Sequence, residues 1–289
     1  MSKITPRAAI LAVLAALLLG TSPQPAGAQP DHYKCYRSKQ VAPPFAAVEG
    51  LEFTDQFESV FETVKRPLHF CNPVDKDGSG IGDPTAHLNC YKTKRVAGEP
   101  RFQKQIVNID NQFGPQTLEL KKPRGICVPA EKDMVPSALE INSFKCYRAK
   151  GVFPKQIVTL EDQFETKVTT VKKPHLFCNP MTIKGGGIGR GAAIVDPSNH
   201  LTCYTIRRVA GESKFPGKQV EISDVFGASS ATAKLGHAGL LCVPTLKEGA
   251  PTPTPTPAPT PTPTPAPTAT APYGSASQAF VRSVSTLLR

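Results

Sequence analysis

Eight cysteines are the residues of this chain with the most evident capacity for chemistry. Thiolates at a CxxC or similar spacing would bind zinc or exchange disulfides, but no two cysteines lie that close together. Instead an opening Cys-Tyr and a closing Cys-x-Pro alternate through four copies of one unit of ~40 residues. Each copy carries the same bond if its own two cysteines pair. The repeat therefore predicts four within-unit disulfides: Cys35–Cys71, Cys90–Cys127, Cys146–Cys178 and Cys203–Cys242.

The loop between the first two units carries oxygen-bearing side chains at a spacing typical of calcium loops. Asp75, Asp77, Ser79 and Asp83 occupy the first, third, fifth and ninth positions, with glycine at the sixth, as in an EF-hand. The twelfth position, where a bidentate glutamate should lie, is Ala86, and no flanking helices are predicted. The alternative is a polar, glycine-rich crossover without metal, and no cofactor other than calcium is indicated.

Both crossover loops end in Asp-Pro-(Thr/Ser)-x-His-Leu, at Asp83–Leu88 and Asp196–Leu201. An aspartate and a histidine four residues apart could share one helical face and bind a metal. Alternatively, the aspartate caps a single turn that has proline at its first position. Since two ligands alone make a poor metal site, the pattern favours the capped turn.

Basic pairs recur at one position in three of the four units, and the chain has a formal net charge of +11. Because an exported protein rarely meets nucleic acid, an anionic cell-envelope polymer or a surface protein is the expected partner. The alternative is that these cations only solvate edge strands and discourage aggregation. The candidate polyanion-binding residues are Lys65, Arg66, Lys121, Lys122, Lys172 and Lys173.

No catalytic motif is present: the sequence has no G-x-S-x-G, HExxH or P-loop, and no catalytic residue is predicted. The tyrosine after each opening cysteine could form a sugar-stacking platform or pack on the disulfide. Two classes of function follow. The favoured class is a non-enzymatic binding or structural repeat protein, because repetition multiplies a binding face. The alternative is an extracellular hydrolase whose acids meet between two β domains.

Each unit alternates apolar and polar residues over a stretch that ends in a turn, as in Leu51–Phe57. This period predicts a half-buried strand, and the aspartate or asparagine near its end predicts a turn. Each unit is expected to contain about four short strands: Cys-Tyr, alternating, basic and Cys-x-Pro. The predicted fold class is all-β.

The units follow an A-B-A-B order. The first and third close with Phe-Cys-Asn-Pro, whereas the second and fourth share Arg-Val-Ala-Gly-Glu. A unit of ~40 residues buries too little surface to fold alone, so each A-B pair is the expected domain. The prediction is two tandem disulfide-stapled β domains, 29–131 and 142–247.

The two ends of the chain differ from the repeats. Residues 1–28 combine two cations, an apolar run too short to span a bilayer, and Ala26-Gly27-Ala28, which predicts a cleaved signal peptide. The mature chain is then secreted, periplasmic or on the cell surface, without a transmembrane segment. Residues 251–272 predict a disordered Pro/Thr-rich linker, and 273–289 a short tail that fits a helix.

The phrases HYKCYRSK, DQF, VKKPHLFCNP, NPVDKDG, DPTAHLNCYK and GICVP together resemble a family of secreted bacterial repeat proteins without an assigned function. The resemblance covers residues 31–247, and the fourth unit departs from it. It implies a bacterial exported domain and brings no catalytic residues.

Overall fold

The computed structural model describes residues 31–138, 140–187 and 193–248. These residues form one sheet of twelve strands and contain no helix, which confirms the all-β prediction. Within this part of the chain, no helix is long and apolar enough to cross a membrane. The strands are β1 His32–Ala42, β2 Val48–Thr54, β3 Ser59–Lys76, β4 His87–Arg95, β5 Gln105–Asn111, β6 Gln116–Lys132, β7 Ser143–Lys150, β8 Gln156–Glu161, β9 Thr166–Gly185, β10 His200–Arg208, β11 Lys218–Asp224 and β12 Gly227–Lys247.

The predicted signal peptide, Pro/Thr-rich linker and C-terminal tail lie outside the described residues.

Each unit contains three strands, so the prediction of four short strands per unit is wrong. The basic segment and the Cys-x-Pro segment form one long strand, of 18 residues in β3 and 21 in β12. The proline after each basic pair does not end the strand, because the register shifts there. In β9, for example, Lys173 and Val171 pair with consecutive residues of β10, which leaves Lys172 as the extra residue of a bulge. Bulges bend a strand without ending it.

Eight of the strands close into a ring. In each unit the Cys-Tyr strand pairs antiparallel with its own long strand, as β1 does with β3. Each long strand then pairs on its other side with the Cys-Tyr strand of the next unit, as β3 does with β4. The last long strand, β12, pairs with β1 and closes the cycle. The four units are therefore arranged around a pseudo-fourfold axis, with no free edge in the ring.

The inside of the ring is built in layers, because alternate residues of a strand face the same side. The opening and closing cysteines of each unit lie directly opposite each other. Two residues before each opening cysteine, a large apolar side chain lies opposite the proline of Cys-x-Pro. The members of this apolar layer, all buried, are Tyr33, Leu88, Phe144 and Leu201.

The proline of Cys-x-Pro removes no ladder hydrogen bond. Pro73 lies beyond the last pair between β3 and β4, which is Cys71 with Leu88. The corresponding prolines of the other units lie beyond the equivalent last pairs. A proline can occupy a strand where its missing N–H has no partner to lose.

The four disulfides form the middle layer. They are Cys35–Cys71, Cys90–Cys127, Cys146–Cys178 and Cys203–Cys242, the same pairs that the repeat predicts. Sulfur atoms of neighbouring bridges are in van der Waals contact, at 3.8 Å for Cys35 with Cys242 and for Cys71 with Cys90. A bridge across a loop of 32–39 residues contributes roughly 3–4 kcal/mol in the chain-entropy model. The four disulfides together thus contribute a large share of the stability of the fold.

The remaining strands tie opposite units together. Each of β2, β5, β8 and β11 forms a hairpin with the long strand of its own unit. Each also pairs with the end of the long strand two units away: β2 with β9, β8 with β3, β5 with β12 and β11 with β6. β6 also pairs with β7, across the boundary between the predicted domains 29–131 and 142–247. The two halves share one sheet, and their separate folding is not confirmed.

The tyrosine of each Cys-Tyr pair lies on the outside of the ring, not on the disulfide. Successive side chains of a strand point to opposite faces, and the cysteine points inward. The tyrosine is also buried, which removes the sugar-stacking alternative. Tyr36, for example, contacts Phe164 and Phe215 with ring centroids 5.4 and 4.8 Å away. The other three tyrosines each contact two phenylalanines in the same way: Tyr91 with Phe45 and Phe226, Tyr147 with Phe57 and Phe102, and Tyr204 with Phe113 and Phe153.

Gly125, two residues before the closing Cys127, allows a close approach of two strands. A Cβ atom built on it would lie 2.1 Å from the backbone oxygen of Tyr91. We expect Gly125→Ala to lower the free energy of unfolding by about 3 kcal/mol or more, because a backbone atom cannot rotate away. Gly239→Ala is the control, since a Cβ there meets no atom within 4 Å. Urea unfolding of both variants would measure the difference, and equal stabilities would contradict this packing.

Candidate functional site

The predicted calcium ligands are held by donors of the protein itself. Asp75 accepts hydrogen bonds from the backbone N–H of Gly78 and Gly80, at 2.7 and 3.1 Å. Asp77 accepts from the backbone N–H of Thr159 and from Lys76 Nζ. The Ser79 hydroxyl accepts from the N–H of Lys76.

Asp83, the fourth predicted ligand, holds a different turn, and its carboxylate accepts from the N–H and hydroxyl of Thr85. The described residues contain no group of three or more His, Cys, Asp or Glu side chains that could hold a metal ion. The structure therefore does not bring the four predicted ligands together around one point.

The Asp-Pro segments form capped turns. Asp196 accepts from the backbone N–H of Ser198 at 2.8 Å, as Asp83 does from Thr85. The histidines that follow, His87 and His200, are buried, and burial lowers the pKa of each to about 4. Both imidazoles are neutral at physiological pH and stack near phenylalanines of the closing segments.

The basic pairs lie where the long strands bend. In β3 and β9 one member of the pair, Lys65 or Lys172, is the extra residue of a bulge. In β6 both Lys121 and Lys122 lie in the shifted segment between Leu120 and Pro123. A bulge re-aims side chains away from the regular alternation, so neighbouring cations can face the same space.

An open groove of about 700 Å³ contains the third basic pair. We call it the basic groove. Its lining includes seven lysine or arginine side chains and one carboxylate, Glu165. The cations are Lys34, Lys155, Lys167, Lys172, Lys173, Arg207 and Arg208. The pairing of β9 with β10 places Arg207 and Arg208 beside Thr170 and Thr169, on the strand that carries Lys172 and Lys173.

The charges of the basic groove are only partly neutralised. Lys34, at its buried base, is 3.0 Å from Glu165, and Lys167 is 3.6 Å from Glu212. Within the described residues, the side chains of Lys155, Lys172 and Arg207 form no hydrogen bond or ion pair with the protein. Uncompensated cations along a groove concentrate positive potential and attract anions.

A second basic pocket of about 300 Å³ adjoins the first. It is lined by Lys121, Arg148, Lys150, Lys173 and His175, with no acidic residue in its lining. Lys173 lines both spaces, so they form one continuous basic surface.

The structure brings together half of the six predicted polyanion-binding residues. Lys121, Lys172 and Lys173 line the two basic spaces, whereas Lys65, Arg66 and Lys122 line neither. The predicted residues that do line a basic space are thus concentrated in the third unit and its neighbours.

Sequence reasoning missed the cations contributed by other elements. Arg207 and Arg208 lie more than thirty residues from Lys173 along the chain but on the adjacent strand. Lys155 directly precedes β8 and Lys167 lies at the start of β9. A signal was present in the fourth unit, where Arg208 begins the shared Arg-Val-Ala-Gly-Glu segment.

Buried tyrosine–carboxylate pairs link the opposite units. Tyr147 donates to Asp55 at 2.8 Å, and Tyr91 donates to Asp224 at 2.5 Å. Tyr36 donates to Asp162 in the same way. In the fourth case the aspartate is replaced by Asn111, which donates to Tyr204 instead. Burial raises the pKa of Asp55 and Asp224, while the bonds from tyrosine and asparagine oppose the rise.

Asp224 also lines a pocket of about 440 Å³, with Tyr91 and Glu49. An acid of raised pKa in a pocket is a candidate for proton transfer. However, the other oxygen of Asp224 accepts from the N–H of Phe226 in the turn, as those of Asp55 and Asp162 do from Phe57 and Phe164. Because this arrangement recurs wherever two opposite units meet, we interpret it as structural.

Comparison with known proteins found no match: no protein-family model, curated protein or solved structure is similar to this chain. The site is therefore interpreted from its own geometry.

Proposed function

We propose that the chain is a secreted, non-enzymatic binding protein that holds an anionic cell-envelope polymer in the basic groove. The observation that carries this proposal is the imbalance of charge in the lining, seven cations against one carboxylate. Neighbouring cations without acidic partners repel one another, and a bound polyanion supplies the missing charge.

A polymer fits this surface better than a small anion does. The basic groove is open along its length, and Lys173 joins it to the second basic pocket. A chain of regularly spaced carboxylates, sulfates or phosphates would contact several cations at once. Many individually weak, exposed contacts then add to a useful affinity.

The compartment is part of the proposal. Four disulfides and the absence of a free cysteine among the described residues support an oxidising environment. Secretion through the predicted signal peptide, bacterial origin and the resemblance to the secreted repeat family stay predictions. In such a compartment, envelope polysaccharides and acidic surface proteins are the abundant polyanions.

The repeat supplies a matched pair of variants for the test. Lys172→Gln with Lys173→Gln removes two cations of the basic groove, and Lys65→Gln with Arg66→Gln removes the equivalent pair of the first unit. Disulfide-intact protein of residues 29–250 would be bound to a panel of immobilised anionic polysaccharides. We expect the first variant to bind about tenfold more weakly and the second to bind like the wild type, since each exposed contact is worth about 0.5–1 kcal/mol.

Equal loss in both variants would show that the basic pairs of different units contribute alike and would contradict a single groove. No retention of the wild-type protein on any anionic polymer, with retention on an acidic surface protein instead, would contradict the polymer as partner.

A further inference from the structure

A cavity of about 120 Å³ opens at one end of the eight-stranded ring, above the disulfide layer. We call it the ring cavity. Six of the eight cysteines line it, together with the residues two positions before each closing cysteine. These four equivalent residues are His69, Gly125, Leu176 and Leu240. The cavity therefore lies on the pseudo-fourfold axis and is distinct from the basic groove on the outside of the ring.

The floor and walls of the ring cavity are mostly apolar. Disulfide sulfurs form the floor, and Leu68, Ile126, Leu176 and Leu240 contribute to the walls. A layer of buried large side chains closes the ring beyond the disulfides. An apolar cavity of about 150 Å³ can hold a benzene-sized molecule, so this one admits a body of similar or slightly smaller size.

The mouth of the ring cavity combines one arginine with two histidines that can gain a proton. Arg124, His69 and His175 belong to its lining, which contains no acidic residue. Arg37 and Arg148 are near enough to act on the two histidines. Within the described part of the chain, none of these five side chains forms a hydrogen bond or an ion pair with the protein. The three arginines are exposed and the two histidines half-buried. They differ from the buried cations Lys34 and Lys145, which have carboxylate partners.

We propose that the ring cavity binds a small organic monocarboxylate, with its apolar body against the disulfides and its carboxylate at Arg124, His69 and His175. A guanidinium pairs with a carboxylate through two parallel hydrogen bonds, which makes Arg124 the principal anchor. The cavity is too small for a polymer segment, and it shares only His175 with the second basic pocket and no residue with the basic groove. This site therefore does not depend on the function proposed for the basic groove.

The histidines couple binding to protonation. Burial, followed by His175, Arg37 and Arg124, lowers the pKa of His69 to about 4. Burial, Arg148, Arg124 and Lys173 lower the pKa of His175. A bound carboxylate opposes these cations and raises both values, so binding takes up protons. Affinity therefore rises as the pH falls from about 7 to about 5, where the carboxylate is still ionised.

Benzoate is a suitable probe, measured by titration calorimetry on the disulfide-intact protein. Acetate lacks the apolar body and benzyl alcohol lacks the charge, so both should bind at least tenfold more weakly. Inorganic phosphate is the control for a site that binds any small anion without using the apolar cavity. Arg124→Gln should weaken benzoate binding about tenfold, whereas Arg66→Gln, outside the cavity, should leave it unchanged.

Absence of saturable benzoate binding would overturn the proposal, as would phosphate binding as tightly as benzoate or an unchanged affinity in Arg124→Gln. If that variant fails to fold, chemical shift changes of the Leu176 and Leu240 methyl groups on adding benzoate to the wild type decide the question. Shifts confined to the cavity support the proposal, and no shifts contradict it.

Discussion

Replacing Lys145 by methionine is expected to lower the free energy of unfolding by about 3–5 kcal/mol, because it leaves two carboxylates, one of them fully buried, with a single cation. The Lys145 side chain is fully buried, and its Nζ is 2.9 Å from Glu58 and 3.2 Å from Glu62. Arg95 contacts both carboxylate oxygens of Glu58 and is 3.9 Å from Glu62. The cluster therefore holds two cations and two anions and is neutral as a whole.

A double-mutant cycle separates the ion pair from the packing. In Lys145→Met with Glu62→Leu the cluster is neutral again, so the loss should be smaller than the sum of the two single variants. The control is Lys104→Met, whose side chain is 69% exposed and 3.6 Å from Glu119. A pair this exposed is expected to contribute less than about 1 kcal/mol. Equal losses for Lys104 and Lys145, measured by urea unfolding, would contradict the buried cluster.

The second large effect is a loss of stability in mild acid. Burial lowers the pKa of His32, His87 and His200 to about 4, assisted by Lys76, Lys132 and Lys247 respectively. The pKa of the half-buried His69 at the ring cavity is lowered in the same direction and adds to the effect. In the unfolded chain these histidines titrate near 6.5. Between these two values the unfolded state binds more protons, so the stabilising contribution is fully present above about pH 6.5 and is lost as the pH falls towards 4.

The size of this loss of stability follows from the shift in histidine pKa between the unfolded and folded states. Each histidine accounts for up to about 3 kcal/mol at pH 4, so that three together approach the whole stability of a typical domain. Asp55 and Asp224 act in the opposite direction, since burial raises their pKa and the folded state takes up their protons first. Their contribution begins at lower pH, close to the range of carboxylates.

Urea unfolding at a series of pH values from about 7 to about 4 measures the net effect. His200→Gln should flatten the dependence by close to one proton, whereas His237→Gln, at an exposed position, should leave it unchanged. A free energy of unfolding that stays constant over this range would show that the buried histidines are not neutral in the folded protein.

The spacing of the cysteines was enough to predict within-unit disulfides, and the period of two in Leu51–Phe57 was enough to predict strands. Both are local properties of the repeat. The turn role of Asp55 was also predictable, because its carboxylate bonds to backbone groups only two and three residues away.

The closure of the ring was not predictable in the same way. Nothing in the sequence of β12 indicates that it pairs with β1, at the opposite end of the repeats. The exchange of hairpins between opposite units also depends on how far the bulged long strands bend, which the proline positions alone do not determine. Two separate domains were expected because neither the ring closure nor the hairpin exchange could be predicted.

Only part of the candidate site was predictable from the sequence, because the rest depends on which strands pair. Lys172 and Lys173 stand out as a basic pair, and the equivalent pair of the first unit, Lys65 and Arg66, is equally basic. The neighbouring strand carries equivalent cations beside both pairs, Arg207 and Arg208 in the third unit and Lys94 and Arg95 in the first. The difference lies on the long strand, where Glu62 is 3.9 Å from Arg95 but the residue opposite Arg208 is Thr169. The ring cavity had no sequence signal, because it arises from residues brought together around the axis.

The dependence of polymer binding on salt tests the central claim most directly. Wild-type protein would be titrated with the anionic polysaccharide that retains it most strongly, at several salt concentrations. If four to five cations of the basic groove contact the polymer, the logarithm of the association constant should fall with the logarithm of salt concentration with a slope of about −3 to −5. A slope near zero, or no measurable binding at low salt, would contradict a function based on this groove.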